Sequence, residues 1–262
     1  MPAEMPEDRS SAVVPESAPQ RVAAVIPAKN EAERIAATIR GVRQIGGVDL
    51  VVVVDDGSTD DTALVAASSG AIVTRHRHNR GKSAAMATGA GVVAEEERKR
   101  GDSPGAFSPR ALLFVDGDLE ASAANLGVLI PPVLSGEVDM TIATLPRQRT
   151  KGGGRGFVVR LARKGIADLT GFEPVQPLSG MRCISRRAFT SASPLARGWG
   201  VEVGLTVDVL GAGLGVREVP CELHHRVTGS DWRAQVHRAR QYRDVALALA
   251  VRRLRRRLRR GR

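Results

Sequence analysis

LVVVVDDGSTDDT, residues 50–62, decides the fold of this chain. Leu50 and four consecutive valines form an apolar run without polar alternation, the pattern of a strand covered on both faces by helices. Asp55 and Asp56 follow at once, and Gly57 then permits a sharp turn, with Ser58 or Thr59 able to cap the helix expected after Thr59. A buried parallel strand that ends in two acids and a turn is the local plan of an α/β ligand site.

The same plan recurs on either side. An apolar run over 22–26 precedes a helical stretch after Asn30, and a short strand over 71–73 precedes a helix over about 82–98. The strand ALLFVD over 111–116, a helix after Ala123 and the strand MTIAT over 140–144 continue the series. Alternation of this kind predicts an α/β fold: a mostly parallel, doubly wound sheet with helices on both faces and ligands beyond the carboxyl ends of the strands. The second half is less regular. A glycine-rich loop over 151–156 leads into a helix through Leu169, QPLSGMRCI reads as a strand approaching the site, 201–210 as a short helix, and a long helix begins near Asp231.

Three clusters fall at strand ends. Pro27, Asn30 and Glu31 close the first strand and Asp55 and Asp56 the second, and together these acids can accept hydrogen bonds from a base and a ribose. Either cluster alone would read as a helix cap. Asn79, Arg80, Gly81 and Lys82 precede a helix, where backbone donors, the helix dipole and a cation suit a diphosphate, although a lone lysine is more often a solvated one. In VDGDLE, Asp116 and Asp118 place two hard oxygen ligands one residue apart, suited to Mg²⁺ or Mn²⁺ holding a diphosphate.

As a set, over about 22–250, these residues resemble the GT-A glycosyltransferases of family two, with their P-x-x-N-E strand end, D-D-G-S-x-D turn and D-x-D metal motif. The resemblance implies donor contacts at Pro27, Asn30, Glu31, Asp56, Lys82 and Asp116, a metal at Asp116 and Asp118, and a UDP-sugar donor with glucose as the sugar. The second half is similar to glucosyl-3-phosphoglycerate synthases in its G-G-G-R loop (152–155), Q-P-L-S-G segment (176–180), G-W-G-V-E-V-G-L helix (198–205) and late His225-Arg226. It implies acceptor contacts at Gly154, Arg155, Ser179 and Gly180, catalytic roles for Asp118 and Glu202, and His225 as a further metal ligand, which neutral imidazole suits for Mn²⁺. Where that family places a threonine two residues after the loop arginine, this chain has Phe157, which removes a phosphate-binding hydroxyl and counts against phosphoglycerate as acceptor.

Composition bounds the rest. At 262 residues the chain suits one substantial domain with appendages: a leader over 1–20 rich in Pro, Ser, Glu and Ala, a catalytic domain over 21–230, and a helix with an arginine-rich tail over 231–262. Cys183 and Cys221 have no metal-ligand spacing and read as reduced thiols, and no run reaches the roughly 18–20 apolar residues of a membrane span. Of the net charge of +11, eight positive charges sit in residues 252–262, leaving +3 for the other 251 residues. That tail, with Leu254 and Leu258 among its arginines, suits an anionic membrane surface, with a solvated tail or nucleic-acid arm as alternatives. The expected setting is therefore cytoplasmic, with attachment to the inner face of the membrane as an option. The expected partners are a nucleotide sugar and its acceptor, either a small phospho-acid or a polyprenyl phosphate; a homodimer is a further option. Nucleic acid is disfavoured because no aromatic series accompanies the arginines. The rival functions are a sugar-phosphate nucleotidyltransferase and a nucleic-acid-binding protein.

Overall fold

The computed structural model describes residues 21–101, 109–145, 156–223 and 232–260, without the side chains of 232–238 and 259–260. Seven strands form one sheet in the order β3-β2-β1-β4-β6-β5-β7. They are β1 (Val22–Ala28), β2 (Val48–Asp55), β3 (Ile72–Arg75), β4 (Ala111–Phe114), β5 (Met140–Thr144), β6 (Arg182–Ile184) and β7 (Val216–Pro220). The mostly parallel α/β sheet expected from the sequence is present, with β6 as its antiparallel member, paired with both β4 and β5. The strand order reverses between β1 and β4, and such a switch point opens a crevice above the sheet.

Period-two alternation sorts the sheet residues between two cores. From β1, Val22, Ala24 and Ile26 point with Val51 and Val53 towards α1 (Ile35–Arg43), while Ala23 and Val25 point with Val52 and Val54 towards α3 (Lys82–Lys99). The helix expected after Ala123 is instead a 3-10 segment, Glu120–Leu129, followed by the single turn α4 (Pro131–Leu134), since two successive prolines cannot donate to an ongoing helix. α2 (Thr62–Ser68) follows β2, and α6 (Arg186–Ser191) follows β6. A third core joins α5 (Phe157–Thr170), α7 (Val201–Gly211) and α8 (Trp232–Arg260). Gly165 of α5 makes that packing close, because any Cβ there would stand 2.3 Å from Leu249 of α8.

Candidate active site

The loops after β1 and β2 are joined into one surface. Asn30, at φ 56°, donates its backbone N–H to Ser58 Oγ (2.9 Å) and accepts from Thr59 N (2.8 Å), while Glu31 N donates to Thr62 Oγ1 (2.9 Å). The Asn30 side-chain oxygen, expected at the donor, therefore serves this joint. Pro27 pairs with Val54 of β2 and lies two residues beyond Val25, whose pair with Phe114 is the last between β1 and β4; without an N–H, Pro27 cannot extend that ladder. Glu31 is partly buried and its carboxyl is raised, by burial first and by nearby Asp118, against the lowering effect of Arg34 bonded at 2.9 Å.

Asp56 organises the loop of Asn79, Arg80 and Gly81. Its carboxylate accepts from His76 Nδ1 (2.7 Å), Arg80 N (2.8 Å) and Gly81 N (2.8 Å), and the far ring nitrogen of His76 meets Thr88 Oγ1 at 2.9 Å. Burial raises its pKa, but the bonds from Arg80, His76 and Gly81 outweigh this and leave it below the ordinary carboxylate value. Two of the amides expected to cradle a diphosphate are thus committed to Asp56, which retains about one acceptor direction for a nucleoside. Gly57, at φ 72°, fits beneath this loop because a Cβ there would stand 2.7 Å from both Asn79 N and His78 C. Gly57→Ala should therefore destabilise the protein by roughly 2–4 kcal/mol in urea unfolding, since backbone on both sides must move.

Between these loops lies the β4 end. Thr38, wholly buried on α1, donates to Gly117 O (2.9 Å) and accepts from Glu120 N (2.9 Å), which fixes the turn carrying Asp116 and Asp118. Sequence reading passed over Thr38, although it is the one polar residue in the buried row Ile35, Thr38, Ile39, Val42.

Lys82 crosses from α3 to that turn, its Nζ 2.6 Å from Asp116 Oδ1 and 3.6 Å from Glu202 Oε1. Burial opposes its charge, yet Asp116 and Glu202 outweigh burial and raise the lysine pKa well above its ordinary value. Because β6 runs antiparallel, its start rather than its end reaches the carboxyl edge of β4, which brings Ser179 and Gly180 to the same place. A Cβ on Gly180 would stand 2.2 Å from Lys82 Nζ and 3.3 Å from Asp116 Oδ1. Among the described residues, Ser179 Oγ is buried without a hydrogen-bond partner.

Glu202 lies in the first turn of α7 and is buried; burial raises its carboxyl pKa against the pull of Lys82 and Arg182. Arg182, also missed in the sequence, is almost fully buried, donating to Ser179 O (3.0 Å) and Thr206 Oγ1 (2.9 Å). Burial pushes its pKa down to about 10, against Glu202 and Glu218, so it stays charged at neutral pH.

Gly154, Arg155 and His225 lie outside the described residues. Among the described residues no three His, Cys, Asp or Glu groups converge as a metal cage. Asp116 and Asp118 nevertheless fit a divalent cation of the magnesium type, which commonly takes one or two carboxylates and completes its shell with phosphate oxygens and water. The site thus combines a carboxylate pair, a charged lysine and a buried acid at the switch point of the sheet, an arrangement able to hold a diphosphate beside a sugar.

The chain belongs to glycosyl transferase family 2, whose family model matches residues 23–190. Its sheet has the GT-A architecture of the glycosyltransferases. Among solved structures it is similar to glucosyl-3-phosphoglycerate synthase from Mycobacterium tuberculosis in complex with Mn²⁺, UDP and phosphoglyceric acid: TM-score 0.67 and 28% identity, covering 89% of this chain and 78% of that one. The complex of the same synthase with Mn²⁺, UDP-glucose and phosphoglyceric acid gives a TM-score of 0.66 at 28% identity, covering 89% and 79%. A curated relative, the uncharacterized protein MJ1222 of Methanocaldococcus jannaschii, is 26% identical over 168 residues, 63% of this chain. The match spans 64% of that relative's length, just under two thirds.

Proposed function

We propose that this glycosyltransferase moves glucose from UDP-glucose to a phosphorylated acceptor, with Mg²⁺ or Mn²⁺ held by Asp116 and Asp118 and, outside the described residues, His225. The observation that carries the reading is the placement of Lys82, 2.6 Å from Asp116 and 3.6 Å from Glu202, at the end of the strand bearing the acid pair. Support also comes from the Mycobacterium tuberculosis synthase, whose complexes contain Mn²⁺ or Mg²⁺ with UDP, and UDP-glucose with phosphoglyceric acid.

The work of this chain's residues follows from their chemistry. Glu31 and the remaining acceptor of Asp56 face the nucleoside. A bound divalent cation would neutralise diphosphate charge, and Lys82 adds a fixed positive charge at the departing diphosphate, so the leaving group needs no proton. Glu202 accepts from the sugar hydroxyls and positions the ring. Ser179 Oγ and the Gly180 backbone border the acceptor together with Gly154 and Arg155. An acceptor phosphate is already anionic and requires no strong general base.

Phe157 begins α5, 77% exposed with Arg160 4.6 Å over its ring, and offers a phosphate no hydroxyl. This weighs against phosphoglycerate. A polyprenyl phosphate is the second reading, favoured by the basic, leucine-bearing outer face of α8. Incubation of the full chain with Mn²⁺, UDP-glucose and each of phosphoglycerate, other small phospho-acids and a short-chain polyprenyl phosphate, read by mass spectrometry, tests the reading. One phosphorylated acceptor is expected to gain a hexose with stoichiometric UDP release. Parallel incubations with ADP- and GDP-glucose and with unphosphorylated acceptors complete the test: transfer only from a purine nucleotide sugar, or only to unphosphorylated acceptors, would overturn it.

A further inference from the structure

Helix α8 has two apolar faces, and the fold uses one. Val245, Leu249 and Arg252 are buried, the first two in the core with α5 and α7, and Arg252 is bonded to Asp208 and to Ala248 O. Arg256 donates to the carbonyls of Asp168 and Leu169 at the end of α5 (3.1 and 3.0 Å). At 3.6 residues per turn this row fixes which side of the helix faces the body. Leu247, Val251, Leu254 and Leu258 recur at i, i+4, i+7 and i+11 on the opposite side, 61%, 38%, 59% and 64% exposed. Helical spacing sets Arg255 on one flank of this stripe and Arg257 on the other, both exposed, while Arg253 turns back towards α5 and pairs with Asp168 at 3.8 Å. No acid follows Asp244 in the chain.

We infer that the outer face of α8 docks on an anionic lipid surface, its leucine stripe entering the headgroup boundary while the flanking arginines meet lipid phosphates. This goes beyond the donor and acceptor reading and does not depend on the acceptor. No helix among the described residues is long and apolar enough to cross a membrane, so the contact is in the plane of the surface. Charge complementarity selects this occupant. Pairing the stripe with a second copy would bring the arginines of both copies together with no acid beyond Asp244 on either to offset them. Nucleic acid would satisfy the arginines and leave the central leucines without an apolar partner.

Deleting residues 252–262 is a poor test, because it also removes Arg252 from its buried site and Arg256 from the end of α5. Surface substitutions separate the two faces. The full chain should co-sediment at low salt with vesicles of phosphatidylglycerol and phosphatidylcholine but not of phosphatidylcholine alone, and release as salt screens the contact. L254E/L258E and R255Q/R257Q, each with the circular dichroism of the parent, should lower the partition coefficient at least tenfold while transfer to a soluble acceptor is unchanged. Equal binding to neutral vesicles, no binding at low salt, or undiminished binding of L254E/L258E would overturn the inference. So would a dimer, seen by light scattering, that L254E/L258E makes monomeric without loss of vesicle binding. Binding to duplex DNA that R255Q/R257Q abolishes, with vesicles ignored, would assign the face to nucleic acid instead.

Discussion

Asp118→Asn should lower transfer by about 10³-fold, equivalent to about 4 kcal/mol of lost transition-state stabilisation. The residue stands on a turn held from beneath by Thr38 and packed against Glu31 through Gly117, whose absent Cβ would be 3.3 Å from Glu31 Cγ. Asparagine keeps the shape of that turn and removes a charge, so the unfolding midpoint should stay near that of the parent. In Mn²⁺ titrations of activity the variant should require far more metal than the parent, and chelator should silence the parent fully. A parent enzyme at full rate in chelator would remove the metal from the proposal, and an active Asp118→Asn would remove this ligand.

Lys82→Met should lower kcat by roughly 10²–10³-fold, the usual effect of deleting one charge-stabilising donor at a reacting centre. Its second signature is in pH. Glu202 is buried with its pKa raised, and Lys82 is the first group opposing that rise. Without the ammonium the folded-state pKa of Glu202 rises further, so the folded protein holds a proton that the unfolded chain has released. Stability then falls as pH climbs from the ordinary glutamate range through the raised value. The difference in melting temperature between Lys82→Met and the parent should accordingly be larger at pH 8 than at pH 5. A constant difference would show that Glu202 does not depend on Lys82. An unchanged kcat would show that the lysine does not face the diphosphate.

These two residues also show where sequence reading reaches and where it stops. Asp118 was legible because a strand of four buried apolar residues leads straight into the acid pair, and such a strand end has one place to go in a doubly wound sheet. Lys82 was legible as a cation at a helix start, but not its partners. Asp116 is 34 residues away and Glu202 lies on a helix of the irregular second half, and no spacing rule relates them. Asn30 and Asp56 bonded largely to protein neighbours because loops from adjacent strands meet above the sheet. A backbone N–H that needs an acceptor takes the nearest one, whichever motif supplies it.

By itself the sequence determined that the sheet is mostly parallel and where its first strands end, and therefore where the candidate site is to be sought, since hydrophobic periodicity and strand-end turns are local signals written in consecutive residues. It also determined the basic character of the last helix, which is a matter of composition. Only the tertiary structure decided that β6 runs antiparallel and so delivers Ser179 and Gly180 to Asp116, that Thr38 and Arg182 support the site from within, and that α8 buries one apolar face while presenting the other. Each of these depends on contacts between residues far apart in the chain. Their energies arise from burial and pairing across elements, and a residue's own neighbours in sequence carry no record of them.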